Sequence, residues 1–184
     1  GSLPGGRLLC LENEGAPRVI LDQCIPTHGQ PDIGTPNASL PGYIDLPAIR
    51  LRVNEPLDPL TVTPITSANL GVNVQLWRVG DTDGNPLPGN PEAIETNTPV
   101  TVQSLVQSEI VLGASAAVLQ GTYLINIRPA VSDLPGFALS TADRPPVVGT
   151  PFGAMEAWFG NKIPPGYRIY FTTLKIPSTP QAFN

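Results

Sequence analysis

Apolar and polar positions alternate along several short stretches of this chain, and each stretch stops at a proline, a glycine or an Asp-Gly pair. Ile49, Leu51 and Val53 alternate with Arg50, Arg52 and Asn54, the period-two pattern of a strand with one buried and one wet face. Beyond the Glu55–Pro59 turn, a second alternating run spans Leu60–Ile65. Val72, Val74, Leu76 and Val79 form a third, interleaved with Asn73, Gln75 and Trp77. Asp81-Thr82-Asp83-Gly84-Asn85 then carries a turn signal. Further strands are predicted at Val100–Leu105, Glu109–Leu112, Thr122–Arg128 and Tyr167–Leu174, with Tyr123, Ile125 and Ile127 on one face. About seven short strands separated by turns predict an antiparallel β-sandwich.

The chain ahead of these strands reads differently. Leu8–Glu12 and Arg18–Gln23 predict a hairpin turning at Glu14-Gly15-Ala16-Pro17. Cys10 and Cys24 lie symmetrically about Pro17, where a disulfide can bridge the hairpin. Closing a loop of about 15 residues would add roughly 3 kcal/mol of stability in the chain-entropy picture. Residues 25–47 hold a proline every few positions and read as extended chain, either a spacer or a strip packed along the sandwich. Asn37-Ala38-Ser39 is formally a glycosylation sequon, although such triplets are frequent by chance. The expected organisation is an N-terminal extension over 1–45, a sandwich over 46–176 interrupted by an insertion at 140–166, and a tail at 177–184. Gly1-Ser2 read as the remnant of a protease site.

Composition narrows the class. With 23 prolines and 18 glycines in 184 residues, hardly any window is free of helix breakers. Leu, Ile, Val and Phe nevertheless make up about 28% of the chain, above the roughly 20% below which chains stay unfolded. The result is an all-β, loop-rich, folded protein. Charged residues are sparse at 14%, and the net charge of −5 includes only two lysines, Lys162 and Lys175. Without a basic stripe, nucleic acid is not an expected partner. No apolar run reaches the roughly 18 residues of a membrane-spanning helix. The disulfide, if formed, places the protein in an oxidising compartment such as the periplasm or cell surface, with lipid anchoring through a removed N-terminus as one arrangement.

Four ordered pieces resemble the bacterial Ig-like domain of S-layer and other cell-surface proteins. A strand is followed by the Asn54–Val62 turn; a hairpin ends in Asp83-Gly84-Asn85-Pro86-Leu87-Pro88. Leu119-Gln120-Gly121-Thr122-Tyr123 leads into a strand and on to Val131-Ser132-Asp133-Leu134-Pro135-Gly136. Tyr170-Phe171-Thr172-Thr173 closes the series. The resemblance covers residues 46–176 and implies an Ig-like sandwich that makes contacts, adheres or spaces rather than catalyses. Gly121 suits a tight strand entry, and Tyr123 offers an apolar body with a polar tip. The first 45 residues and the stretch between Leu139 and Tyr167 depart from the pattern and are natural places for protein-specific function.

Candidate chemistry is thin. Gly113-Ala114-Ser115-Ala116-Ala117 superficially resembles a nucleophile elbow, which requires a strand-to-helix turn and a histidine; the chain has only His28. No catalytic residue is expected. Cys10, Cys24 and His28 could supply three zinc ligands, but their spacing matches no common site and a fourth is missing, so neither metal nor cofactor is expected. Asp81, Asp83 and Asn85 have the alternating oxygens of a calcium loop, yet Pro86 occupies the position that needs glycine, leaving a plain hairpin tip. The insertion gathers Phe152, Met155, Trp158 and Phe159, of which Phe152, Met155 and Phe159 fall on one helical face. They read as a cap on the core or as a patch for a partner protein, expected to be another envelope or surface protein. A glycan is the alternative partner, favoured by an open aromatic platform at Trp77 or Trp158.

Overall fold

A computed structural model describes residues 19–20, 33–53, 57–64, 73–97, 101–102, 108–128, 130–131, 163 and 166–177. Among them the protein is nearly all β, with antiparallel sheets and no α-helix. Strands of five to seven residues are β4 (Ile49–Val53), β5 (Val74–Gly80), β9 (Ser108–Ala114), β11 (Thr122–Ile127) and β12 (Tyr167–Thr172). Shorter ones are β1 (Val19–Ile20), β2 (Thr35–Pro36), β3 (Tyr43–Asp45), β6 (Glu92–Ala93), β7 (Thr96–Asn97), β8 (Thr101–Val102) and β10 (Val118–Leu119). Where about seven strands are expected, the described residues hold twelve, five sustained and seven fragments.

One sheet runs β1-β4-β9-β7, with β8 also pairing β9; a second runs β12-β11-β5-β6; a third, smaller one runs β10-β3-β2. One apolar cluster draws on all three. Leu51 of β4, Ile110 of β9, Leu76 of β5, Ile125 of β11, Phe171 of β12 and Ile44 of β3 all belong to it. Tyr123, Ile125 and Ile127 lie together in this cluster, as their spacing predicts.

The opposite face of the second sheet departs from a wet-face expectation. Gln75 and Asn126 are fully buried and cross-strand neighbours, and the Asn126 amide donates to Gln75 Oε1 at 2.8 Å. Buried polar groups are tolerated when they bond to each other in this way. Beside them Val79, Leu124, Ile163 and Tyr170 form a second cluster. Val79 sits there with Trp77 rather than with Val74 and Leu76, because it lies an odd number of residues from them and alternation turns it to the other face.

Two sequence expectations are corrected. No strand occupies Leu60–Thr63. Pro59–Thr61 is a 3-10 turn whose cap, Asp58, accepts from the Leu60 amide at 3.0 Å, and Leu60 is 87% exposed. A capping aspartate followed by a proline at the first helical position outweighs the alternation. Residues 33–45 are also more than extended chain. They supply β2 and β3, bury Ile44 completely, and join Ile33 to Thr173 in a parallel bridge just beyond β12. Of the two expectations for this stretch, spacer or packed strip, packing is what these residues show.

The Asp81–Asn85 turn forms as read. Gly84 adopts φ +86°, and Asp81 Oδ1 accepts from the Asp83 and Asn85 amides, each at 2.9 Å. Among the described residues no helix is long and apolar enough to cross a membrane.

Candidate functional site

Most residues singled out from the sequence lie outside the described residues: Cys10, Cys24, His28, Phe152, Met155, Trp158 and Phe159. Of the 140–166 insertion, Ile163 and Gly166 are described. Ile163 is fully buried in the second cluster, and its carbonyl accepts from Arg168 Nη2 at 2.8 Å. Trp77 packs half-buried against that cluster, with its indole N–H directed to Gln75 Oε1 at 3.2 Å.

The serine of the elbow-like stretch is also placed. Gly113 and Ala114 end β9, Ser115 and Ala116 form a bend, and the chain re-enters a strand at Val118. This is a strand-to-strand bend without the helix that an elbow requires. Ser115 is held by its amide, which donates to the Glu95 carbonyl at 3.0 Å. Among the described residues no group of three or more His, Cys, Asp or Glu is placed to hold a metal.

A cleft of about 310 Å³ lies among the described residues. Its side walls come from the β6–β7 crossing and from the β9–β10 bend. Residues 92–97 pass from one sheet to another: Ile94 donates its amide to Leu76 at 2.9 Å, and Glu95 accepts from Ser115. This crossing holds the two sheet edges together along that side. Ala93, Ile94, Ala116, Ala117 and Val118 give the lining a small, apolar part. Tyr43 of β3, Leu119 of β10, Ser115, Glu92 and Glu95 also line it.

Arg78 and Tyr123 line the cleft from the β5–β11 pair. Arg78 donates Nε and Nη2 to the Gln120 carbonyl at 3.1 and 2.9 Å, and Nη1 reaches Glu92 Oε1 at 3.5 Å. Its side chain is 15% exposed against 50% for Glu92. Gly121 permits this approach, because a Cβ there would lie 2.7 Å from Arg78 Nε and 2.5 Å from the Gly80 carbonyl oxygen. The requirement for glycine at the strand entry is therefore one of space.

Tyr123 stacks on Phe171 with ring centres 5.6 Å apart and planes inclined by 18°. Its hydroxyl donates to the Leu119 carbonyl, four residues upstream. Burial pushes the phenol well above its ordinary value; the nearby Arg78 charge opposes that, while Glu92 and Tyr43 add to it. The group stays protonated as a structural donor.

Gly121, Tyr123 and Ser115 stand out in the sequence, whereas Tyr43, Arg78 and Glu95 do not. These three come from β3, β5 and the β6–β7 crossing and share no local motif. Comparisons with protein-family models, with curated proteins and with solved structures return no match for this chain.

Proposed function

We propose that this chain is a non-enzymatic Ig-like β-sandwich module of the cell surface or periplasm, working through protein contact, adhesion or structural spacing. The observation that carries the reading is the strand order. The orders β1-β4-β9-β7 and β12-β11-β5-β6 support it, since they can be aligned with strands A-B-E-D and G-F-C-C′ of an Ig-like sandwich. Three further features agree with it. One cluster of apolar residues draws from both sheets, as the inner faces of a sandwich do. Tyr123, near the start of β11, bonds back to the Leu119 carbonyl in the manner of the tyrosine corner. Ile33 bridges in parallel to Thr173 just beyond β12, which sets part of the N-terminal extension against the edge of the second sheet.

Such a sandwich supplies a rigid support, and function resides in the surfaces it displays. Trp77 favours protein over glycan as the partner. Half-buried, and with its indole N–H directed to Gln75, it offers no open aromatic platform for a sugar ring. A disulfide between Cys10 and Cys24 and an oxidising compartment belong to the same proposal.

Lys175, with its side chain 62% exposed, gives a direct handle on the compartment. An amine-reactive label that cannot cross the cytoplasmic membrane should modify Lys175 in cells whose cytoplasmic membrane is intact. The chain recovered from them should carry no free thiol at Cys10 or Cys24. Labelling that appears only after lysis, together with two freely alkylated thiols, contradicts the proposal.

A further inference from the structure

The cleft between the β6–β7 crossing and the β9–β10 bend has a chemistry specific enough to name its occupant. We propose that it receives a short extended segment of a partner protein, with a lysine or arginine set against Glu92 and Glu95 and a neighbouring aliphatic side chain set among the alanines. This inference rests on the contact-module reading and gives the partner's chemistry at one site.

The first argument is size. About 310 Å³ lies at the lower end of the range for small-ligand sites and has room for side chains rather than for a folded domain. Its walls are Ala93, Ile94, Ala116, Ala117 and Val118, which contribute methyl surface and no side-chain hydrogen-bonding groups.

The second argument is charge. Among the described residues lining the cleft Arg78 is the one cation, and it is committed twice over to the Gln120 carbonyl. Its reach to Glu92 is long, at 3.5 Å. Glu95 is exposed and forms no ion pair with a cation among the described residues. Two carboxylates against one committed guanidinium leave the mouth negative, complementary to a basic side chain.

A third, independent observation is where apolar surface is left open. Among the described residues the exposed large apolar side chains are Leu40, Leu60 and Leu119. Two of the three border this cleft's Tyr43. Leu119 is its cross-strand partner, and the Leu40 carbonyl accepts its amide at 3.1 Å. Aliphatic surface and carboxylates around one cleft fit a segment in which basic and aliphatic residues adjoin.

A sugar fits less well. Two of the donors lining the cleft, the Tyr123 hydroxyl and the Arg78 guanidinium, already serve the carbonyls of Leu119 and Gln120. A glycan would have to take its hydrogen bonds from Tyr43, Ser115 and the two carboxylates.

The test is an NMR titration of the 15N-labelled full chain. The probes are the hexapeptide acetyl-Ala-Leu-Lys-Leu-Arg-Ala-amide, the same peptide with glutamate at both basic positions, and a mixed oligosaccharide pool. The basic peptide should give saturable shifts at the amides of Glu95 and Ala117, and the acidic one none. Glu92→Gln with Glu95→Gln should raise its Kd about tenfold, as loss of a charged contact does. Ala117→Trp should abolish the shifts by filling the cleft. If Ala117→Trp fails to fold, the charge variant, which alters only exposed side chains, still decides.

No saturable shift, equal binding of both peptides, shifts mapping elsewhere, or a response to the oligosaccharides alone would each overturn the assignment. In cells the two readings separate. A partner that remains cross-linked to the Glu92→Gln, Glu95→Gln chain overturns the cleft but leaves the contact role standing. A wild-type chain without any partner removes the contact role itself.

Discussion

The hydroxyl of Tyr123 donates to the carbonyl of Leu119, tying the first turn of chain into β11 back onto β10. That one bond joins the second sheet to the small β10-β3-β2 sheet and fixes the corner against which Arg78 and Gly121 pack. Tyr123→Phe keeps the ring on Phe171 and removes only the hydroxyl. Urea unfolding should show a loss of about 1–2 kcal/mol, the cost of deleting a hydrogen bond and leaving its carbonyl partner short. An unchanged midpoint would mean that the corner contributes nothing to stability.

The same phenol sets a dependence on alkaline pH. Its value in the folded chain is raised above the ordinary one near 10, chiefly by burial. The unfolded chain therefore sheds this proton first. Above pH 10 the folded state holds more protons than the unfolded state, and stability falls as pH rises. Below pH 10 both states keep the proton and the group contributes no slope. Unfolding midpoints between pH 8 and pH 11 should bend downward near the upper end, and Tyr123→Phe should flatten that bend.

Gly121 and Gly89 make a matched pair for the close approach at the strand entry. A Cβ at Gly121 meets the Gly80 carbonyl and Arg78, whereas nothing lies within 4 Å of one at Gly89. Gly121→Ala should cost about 1–3 kcal/mol through forced displacement. Gly89→Ala should stay within about 0.5 kcal/mol of wild type. Thermal melts of the two variants side by side measure the difference.

Core and surface leucines should separate just as sharply. Leu76 and Ile125 face each other across β5 and β11, at 1% and 0% exposure. Either one truncated to alanine should lose about 2–5 kcal/mol in denaturant titrations. Leu60→Ala should change stability by no more than about 0.5 kcal/mol, since that side chain stands in solvent.

Leu60 also shows where the sequence misleads. Leu60–Ile65 alternates as well as Ile49–Val53 does, but Asp58 and Pro59 upstream redirect the first residues into a 3-10 turn. The sustained strands were legible because five or more residues of period-two pattern outweigh local signals, and β4, β9 and β11 fall close to where they were read. β2 and β3 were not legible. Two or three residues among prolines and glycines carry no periodicity, and Ile44 is core only because β10 arrives from far along the chain. The burial of Gln75 and Asn126 was not legible either, because alternation cannot foresee that a sheet is covered on both sides. The cleft was illegible for a related reason. Tyr43, Arg78, Glu95 and Ala117 are brought together by strand pairing, and none carries a mark of it in its own neighbourhood.

The contact role is tested most directly by cross-linking in intact cells of the native source. A membrane-impermeant, amine-reactive cross-linker should join this chain, through exposed Lys175, to another protein of the envelope in one dominant adduct. Recovery of the chain only as itself, partitioning with cytoplasmic proteins and reached by the reagent only after lysis, would contradict the account.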